Sequence, residues 1–248
     1  MRLRVAGARV LAAAACLLAL ASAHAPYYST WSDYERHIIA QPLLRRGAVL
    51  FDGLLSDSGV LSPKWTPSNL GFVTDTTTGL AKLSIGPTVS PDADGVYGTL
   101  WYDDALPVNG TVIEFTFMWA GSSPSKQHDM NWWLASSVAN NSAYATTGKT
   151  SPFYVWGLNG WGGARSGVER SDGLGSSTWR SPPQCSTPGK PHTVTHYALN
   201  GAQFLIVDGQ LVGVHTDALG IAATHGYFAL SAYQSEILVG RVTISALR

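Results

Sequence analysis

The sequence is short of charge, of cysteine and of helix-like stretches, and each shortage narrows what the chain can be. Charged residues fill only 13 % of the 248 positions, split evenly into 16 basic and 16 acidic. Long solvent-facing helices need more ionic residues than that, and a nucleic-acid partner would want a basic excess. Two cysteines occur, Cys16 and Cys185. Cys16 lies in a leader expected to be removed, so Cys185 has no intramolecular disulfide partner. Its neighbours Ser181-Pro182-Pro183-Gln184 are loop-like and include no base, which reads as an inert thiol. After the leader no segment is long and apolar enough to cross a bilayer as a helix.

What the sequence has in quantity is glycine, 26 residues, and tryptophan, 9 residues. That mixture suits many short strands joined by turns. A chain of this length fits one all-β domain with a substantial core.

Residues 1–25 read as a secretory signal. Arg2, Arg4 and Arg9 form a charged start, Val10 to Leu20 is apolar, and Ala21-Ser22-Ala23 and Ala23-His24-Ala25 are small-residue cleavage sites. Removing the leader leaves 13 basic and 16 acidic residues, a net charge of about −3. The expectation is an exported protein, with no membrane association once the signal is gone. Asn109-Gly110-Thr111 and Asn140-Asn141-Ser142 match the glycosylation acceptor pattern, so a glycoprotein is expected if the source is a eukaryote. Residues 26–47 read as an arm or short helix, with Ser32 and Glu35 spaced as a capping box and Pro42 as a stop.

From Ala48 short apolar runs alternate with turn residues. Val49 to Asp52, Leu80 to Ile85, Tyr97 to Tyr102, Val112 to Trp119, Met130 to Leu134 and Phe153 to Trp156 are strand-like. In the last third His192 to Tyr197, Phe204 to Val207, Leu211 to Val214, Tyr227 to Ser231 and Ile237 to Ile244 follow. Asn200-Gly201 and Asp208-Gly209 mark hairpin turns there. Residues 160–190, rich in Gly, Ser and Pro, read as a long functional loop. Val112–Trp119, Met130–Leu134 and Phe153–Trp156 are expected to build one face of one sheet.

The order of these features is similar to the concanavalin A-like lectin/glucanase jelly rolls: Phe51-Asp52 in an opening strand, Trp65, the aromatic central strands, and a strand–Asp-Gly–strand hairpin near the end. His128-Asp129-Met130-Asn131 resembles the His-Asp-hydrophobic-Asn run of uncharacterised secreted jelly rolls related to polysaccharide lyases. The resemblance spans about residues 48–248. It implies an all-β, two-sheet antiparallel jelly-roll sandwich with a glycan cleft on its concave sheet. A structural calcium held by Asp and backbone carbonyls would suit such a fold, although no residues can be assigned to it, and no other cofactor is implied. The Glu-x-Asp-x-x-Glu strand of the glucanase branch is missing: Glu114 is followed by Phe115 and Thr116. Retaining hydrolysis needs two carboxyl groups about 5 Å apart, and no pair presents itself.

Strand alternation sets Asp129, Asn131 and Trp133 on one face, the cleft, and His128, Met130 and Trp132 on the other, the core. Indole faces stack on sugars while Asn, Asp and Arg bond hydroxyls. The expected partner is a polysaccharide or oligosaccharide. The sharper expectation is β-elimination on an acidic glycan, in which a uronate carboxylate is neutralised, a proton is removed and the leaving oxygen is protonated. Asn131 with Arg165 would hold the carboxylate, and Tyr154 or His128 would move the proton. Asp129, Trp133, Trp156, Arg170, Trp179, Arg180 and Glu114 would bind the rest of the polymer. A lectin-like module binding without turnover, a hydrolase with an atypical carboxylate arrangement, and a structural coat protein stand as alternatives. No metal site is expected, because His192 and His196, four residues apart on a strand, would be roughly 13 Å apart.

Overall fold

The computed structural model describes residues 46–57, 59–68, 70–85, 98–108, 110–120, 130–136, 152–159, 165–170, 177–180, 189–199, 202–216, 226–233 and 235–248. Among them are strands and no helix. In chain order these are β1 (Arg46–Leu54), β2 (Ser56–Asp57), β3 (Val60–Leu61), β4 (Trp65–Ser68), β5 (Leu70–Thr74), β6 (Ala81–Ile85), β7 (Gly98–Tyr102), β8 (Thr111–Trp119) and β9 (Met130–Ala135). They continue with β10 (Phe153–Asn159), β11 (Arg165–Arg170), β12 (Ser177–Arg180), β13 (His192–Leu199), β14 (Ala202–Val207), β15 (Gln210–Thr216), β16 (Tyr227–Ala232) and β17 (Ile237–Leu247). The leader, the arm up to residue 45, Cys16, Cys185, Asn109, Asn140 and the Asn200-Gly201 turn lie outside the described residues.

Two antiparallel sheets form a sandwich. One runs β15-β14-β13-β8-β17-β6-β5, with β1 also pairing to β17; the other runs β12-β11-β10-β9-β16-β7-β4. The expected all-β sandwich is what the chain builds. β1 begins at Arg46, two residues before the expected start of the domain.

Alternation explains which side chains meet between the sheets. In β8, Ile113, Phe115, Phe117 and Trp119 enter the core, and Glu114, Thr116 and Met118 sit half-buried on the outer side. Met130, Trp132 and Leu134 of β9 meet them from the other sheet, as do Tyr154, Trp156 and Leu158 of β10. Each indole buried here removes roughly 200 Å² from water, worth about 5 kcal/mol before entropy is counted. β17 bulges between Val239 and Val242. A Cβ at Gly240 would run into Oγ1 of Thr116, so any side chain at that crossing requires Thr116 to move.

Asp208-Gly209 closes the β14–β15 hairpin with φ of 51° and 78°, the left-handed pair that a two-residue turn requires. Asp208 also ties the turn to β13: Oδ2 lies 2.7 Å from Nδ1 of His192, and Oδ1 accepts the backbone N–H of Thr193 at 2.9 Å.

Two expectations need correction. β8 does not share a sheet with β9 and β10; it faces them across the core. Within residues 160–190, read as one loop, lie β11 and β12, which extend the second sheet beyond β10 to its edge.

Candidate functional site

The face of the seven-stranded sheet turned away from the core carries Asn131, one of the expected site residues, beside polar positions that were not expected. Three strands place Asn131, Ser231 and Thr99 side by side, since Asn131 pairs with Ser231 and Ser231 with Thr99. Gly157 continues the row on β10. One step along the strands a second row holds Val155, Trp133, Ala229 and Trp101 in register. The Trp101 and Trp133 rings stand 6.5 Å apart, and Nε1 of Trp133 donates to Oγ of Ser231 at 3.0 Å. A polar band thus runs beside an aromatic one.

Within these bands some hydrogen-bonding capacity is unspent. Nδ2 of Asn131 and Nε1 of Trp101 are buried with no hydrogen-bond partner among the described residues. At the end of β10, Asn159 has both side-chain polar atoms in the same condition. An unmade hydrogen bond costs a buried group about 1–3 kcal/mol, so such groups call for a reason.

The expected split of β9 into two faces is found, but the open concavity is not. Asn131 retains 3 % of its surface and Trp133 none, and Trp133 belongs to a second apolar cluster with Trp101, Ala135, Phe153, Val155 and Ala229. Tyr227 and Tyr233 pack partly buried against it. The face is sealed in this structure.

Other expected residues lie elsewhere. Trp156 pairs with Trp132, not Trp133, so it points between the sheets. There it stacks on Trp132 with centroids 6.2 Å apart and planes 10° off parallel. Tyr154 is wholly buried in the same core against the His215 ring. Neither offers a surface to a polymer. Glu114 is on the outer side of the eight-stranded sheet, ion-paired with Arg46 and accepting from Oγ1 of Thr195 at 3.3 Å, across the sandwich from Asn131. His128 and Asp129 lie outside the described residues. For Arg165, Arg170, Trp179 and Arg180 the strand positions alone are described: Arg165 pairs with Arg180 and Arg170 with Tyr154.

Reading the sequence missed Thr99, Trp101, Ser231 and Asn159. Thr99 and Trp101 alternate within an expected strand, which was a usable signal; Asn159 precedes Gly160, a turn-like pair, and adopts φ 62°.

A polar network in the core uses groups that the expected mechanism did not include. Nε1 of Trp132 donates to Nδ1 of His196 at 3.0 Å. The His196 proton therefore sits on Nε2, which donates to Oε1 of Gln203 at 3.2 Å. The same oxygen accepts from Nε1 of Trp156 at 2.8 Å. Burial, more than its neighbours, pushes His196 down to about 3, so it is neutral. On the outer side of the eight-stranded sheet, hydrogen bonds from Arg241 and Thr243 hold the Asp52 carboxyl below the usual carboxylate range.

No protein-family pattern and no curated protein matches the sequence. Solved structures match its fold. A protein of unknown function with a galectin-like fold from Bacillus subtilis superposes with a TM-score of 0.59 at 12 % identity, covering 83 % of this chain and 100 % of that one. The Lotus tetragonolobus seed lectin gives 0.53 at 10 % identity, covering 81 % and 99 %. The Bacillus licheniformis β-glucanase gives 0.53 at 12 % identity, covering 82 % and 100 %. At such identities the likeness is one of fold.

Proposed function

With its concanavalin A-like jelly-roll fold as the premise, we propose that this chain is an exported carbohydrate-binding protein. It would hold a polysaccharide or oligosaccharide on the outer face of the seven-stranded sheet without turning it over. The observation that carries this is the pair of unspent donors, Nδ2 of Asn131 and Nε1 of Trp101, set in adjoining polar and aromatic bands. Sugar hydroxyls accept from such donors while the pyranose ring lies on indole. The fold is one that a lectin and a glucanase also use, which makes sugars the first class of ligand to try.

Binding without turnover is favoured over β-elimination because Tyr154, one of the two proton carriers the elimination reading relied on, is enclosed between the sheets. His128, Asn131 and Arg165 would be left to do the chemistry. No pair of carboxylates suited to hydrolysis emerges among the described residues.

The test is glycan-array binding followed by calorimetry on the hits, with ultraviolet absorbance monitored for an unsaturated uronate product. Because the bands are sealed, binding requires their exposure, and a tryptophan fluorescence shift should accompany it. Binding with no product supports the proposal. Product formation replaces it with a lyase, and a folded protein that retains no glycan removes it. Export is tested separately: a secreted form should begin at His24 or Pro26.

A further inference from the structure

We propose that the β10–β12 end of this face is a subsite for an anionic sugar substituent, a carboxylate or a sulfate, where Asn159 lies beside the register-paired Arg165 and Arg180. This rests on the sugar-binding reading above and names its substrate class.

The placement comes from the backbone. Gly157 pairs with Gly167, and Gly167 with Thr178; Arg165 pairs with Arg180. The β10–β11 ladder ends at Gly157 and Gly167; two residues beyond, Asn159 turns left-handed and bonds to Ser166, the neighbour of Arg165. The backbone N–H of Asn159 donates to Oγ of Ser166 at 3.2 Å, which ties the two strands together there.

Two independent features point to a ligand. Asn159 is fully buried, and neither Oδ1 nor Nδ2 has a hydrogen-bond partner among the described residues. It also adopts a left-handed φ of 62°, a conformation that is uncommon for any residue but glycine and one that asparagine tolerates better than most. Asn131, whose Nδ2 is likewise unspent, pairs with Gly157 in the adjoining row. The second feature is charge. On this face β11 and β12 set Arg165 and Arg180 against Glu169, a surplus of one positive charge in a chain whose formal net charge is zero; Arg170, paired with Tyr154, belongs to the opposite face. Like charges directly opposite across a strand pair are disfavoured, and an anion between them reverses the sign of that interaction. An unspent amide beside two register-paired arginines suits a sugar bearing a carboxylate or sulfate and gives a neutral sugar no advantage.

The full chain is tested by calorimetry or interferometry against polygalacturonate, dextran sulfate and unmodified dextran, at low and moderate salt. Polygalacturonate, dextran sulfate or both should bind at least about tenfold tighter than dextran, and the two acidic polymers distinguish carboxylate from sulfate. The double variant Arg165→Ala/Arg180→Ala should bring that affinity down to the dextran level, with Arg165→Lys/Arg180→Lys restoring part of it. Asn159→Gly keeps the left-handed backbone and removes the amide. It should weaken the acidic polymer about tenfold and gives an independent readout if the double variant does not fold. Arg241→Ala, on the other sheet, should change nothing; a loss equal to that of the double variant would mean diffuse charge and overturn the subsite. Equal binding of dextran and both acidic polymers overturns the subsite while sugar binding stands. No binding of any polymer by folded protein overturns both.

Discussion

Trp132 and His196 join the two sheets through a single hydrogen bond, indole Nε1 to imidazole Nδ1, 3.0 Å long and wholly buried. The ring of Trp156 lies 4.9 Å from the same imidazole, and Gln203 accepts from both His196 and Trp156. A neutral histidine is therefore part of what holds the sandwich shut.

The first prediction concerns acid. His196 has a folded value of about 3 against an ordinary 6.5, because burial disfavours its charged form. A depressed value means that the stabilisation is complete above about pH 6.5 and is lost as the pH falls from there toward 3, at no more than about 1.4 kcal/mol per pH unit. Melting temperature measured across that range should fall steadily. His196→Gln, which can still accept from Trp132, should give a flatter profile; two parallel curves would show that His196 does not set the acid limb.

Trp156→Phe should lower stability by about 1–3 kcal/mol, since it removes the donor to Gln203 and trims a stacked ring. Affinity for any bound glycan should stay as it was. A tenfold loss of affinity with an unchanged denaturation midpoint would return Trp156 to the role of sugar platform.

Asn131→Leu should behave in the opposite way. It exchanges a buried amide with an unspent donor for an apolar group of similar volume, so stability should stay within about 1 kcal/mol of the parent. Glycan affinity should fall about tenfold or more, because the donor offered to the sugar is gone. Chemical denaturation and calorimetry on the same samples separate the two effects.

Gly240→Ala should destabilise by about 1–3 kcal/mol, because the new methyl meets Oγ1 of Thr116. Thr116→Ala removes that oxygen. The double variant Gly240→Ala/Thr116→Ala should therefore recover most of the loss, a coupling that a double-mutant cycle reads directly. Additive losses would mean that the clash is relieved by backbone movement instead.

Much of the architecture could be read from local pattern. Ile113, Phe115, Phe117 and Trp119 alternate with Glu114, Thr116 and Met118, and the sheet uses them in that way. Asp208-Gly209 carries its turn in its chemistry. β11 was hidden because Val168 is its one aliphatic residue, and a strand near the sheet's edge needs no longer apolar run. The site was harder to read. Phe153-Tyr154-Val155-Trp156 is apolar on both sides, so alternation alone does not say which side enters the core. Only the pairing of Trp156 with Trp132, and of Val155 with Trp133, separates the two tryptophans expected to share a cleft. Pairing between strands is a long-range property, invisible in either strand by itself.

β17 sits between β8 and β6 along the first part of its length and between β8 and β1 along the rest. Val49 near the start of the domain finds its partner only at Ser245. Loop closure over such a span is slow, so the domain should take shape late, after every preceding strand has been made. Until then the edge of β8 away from β13 has nothing beside it. During synthesis the chain is therefore at its most vulnerable to association with its own copies, and a cell producing it would need to shield that edge until β17 arrives.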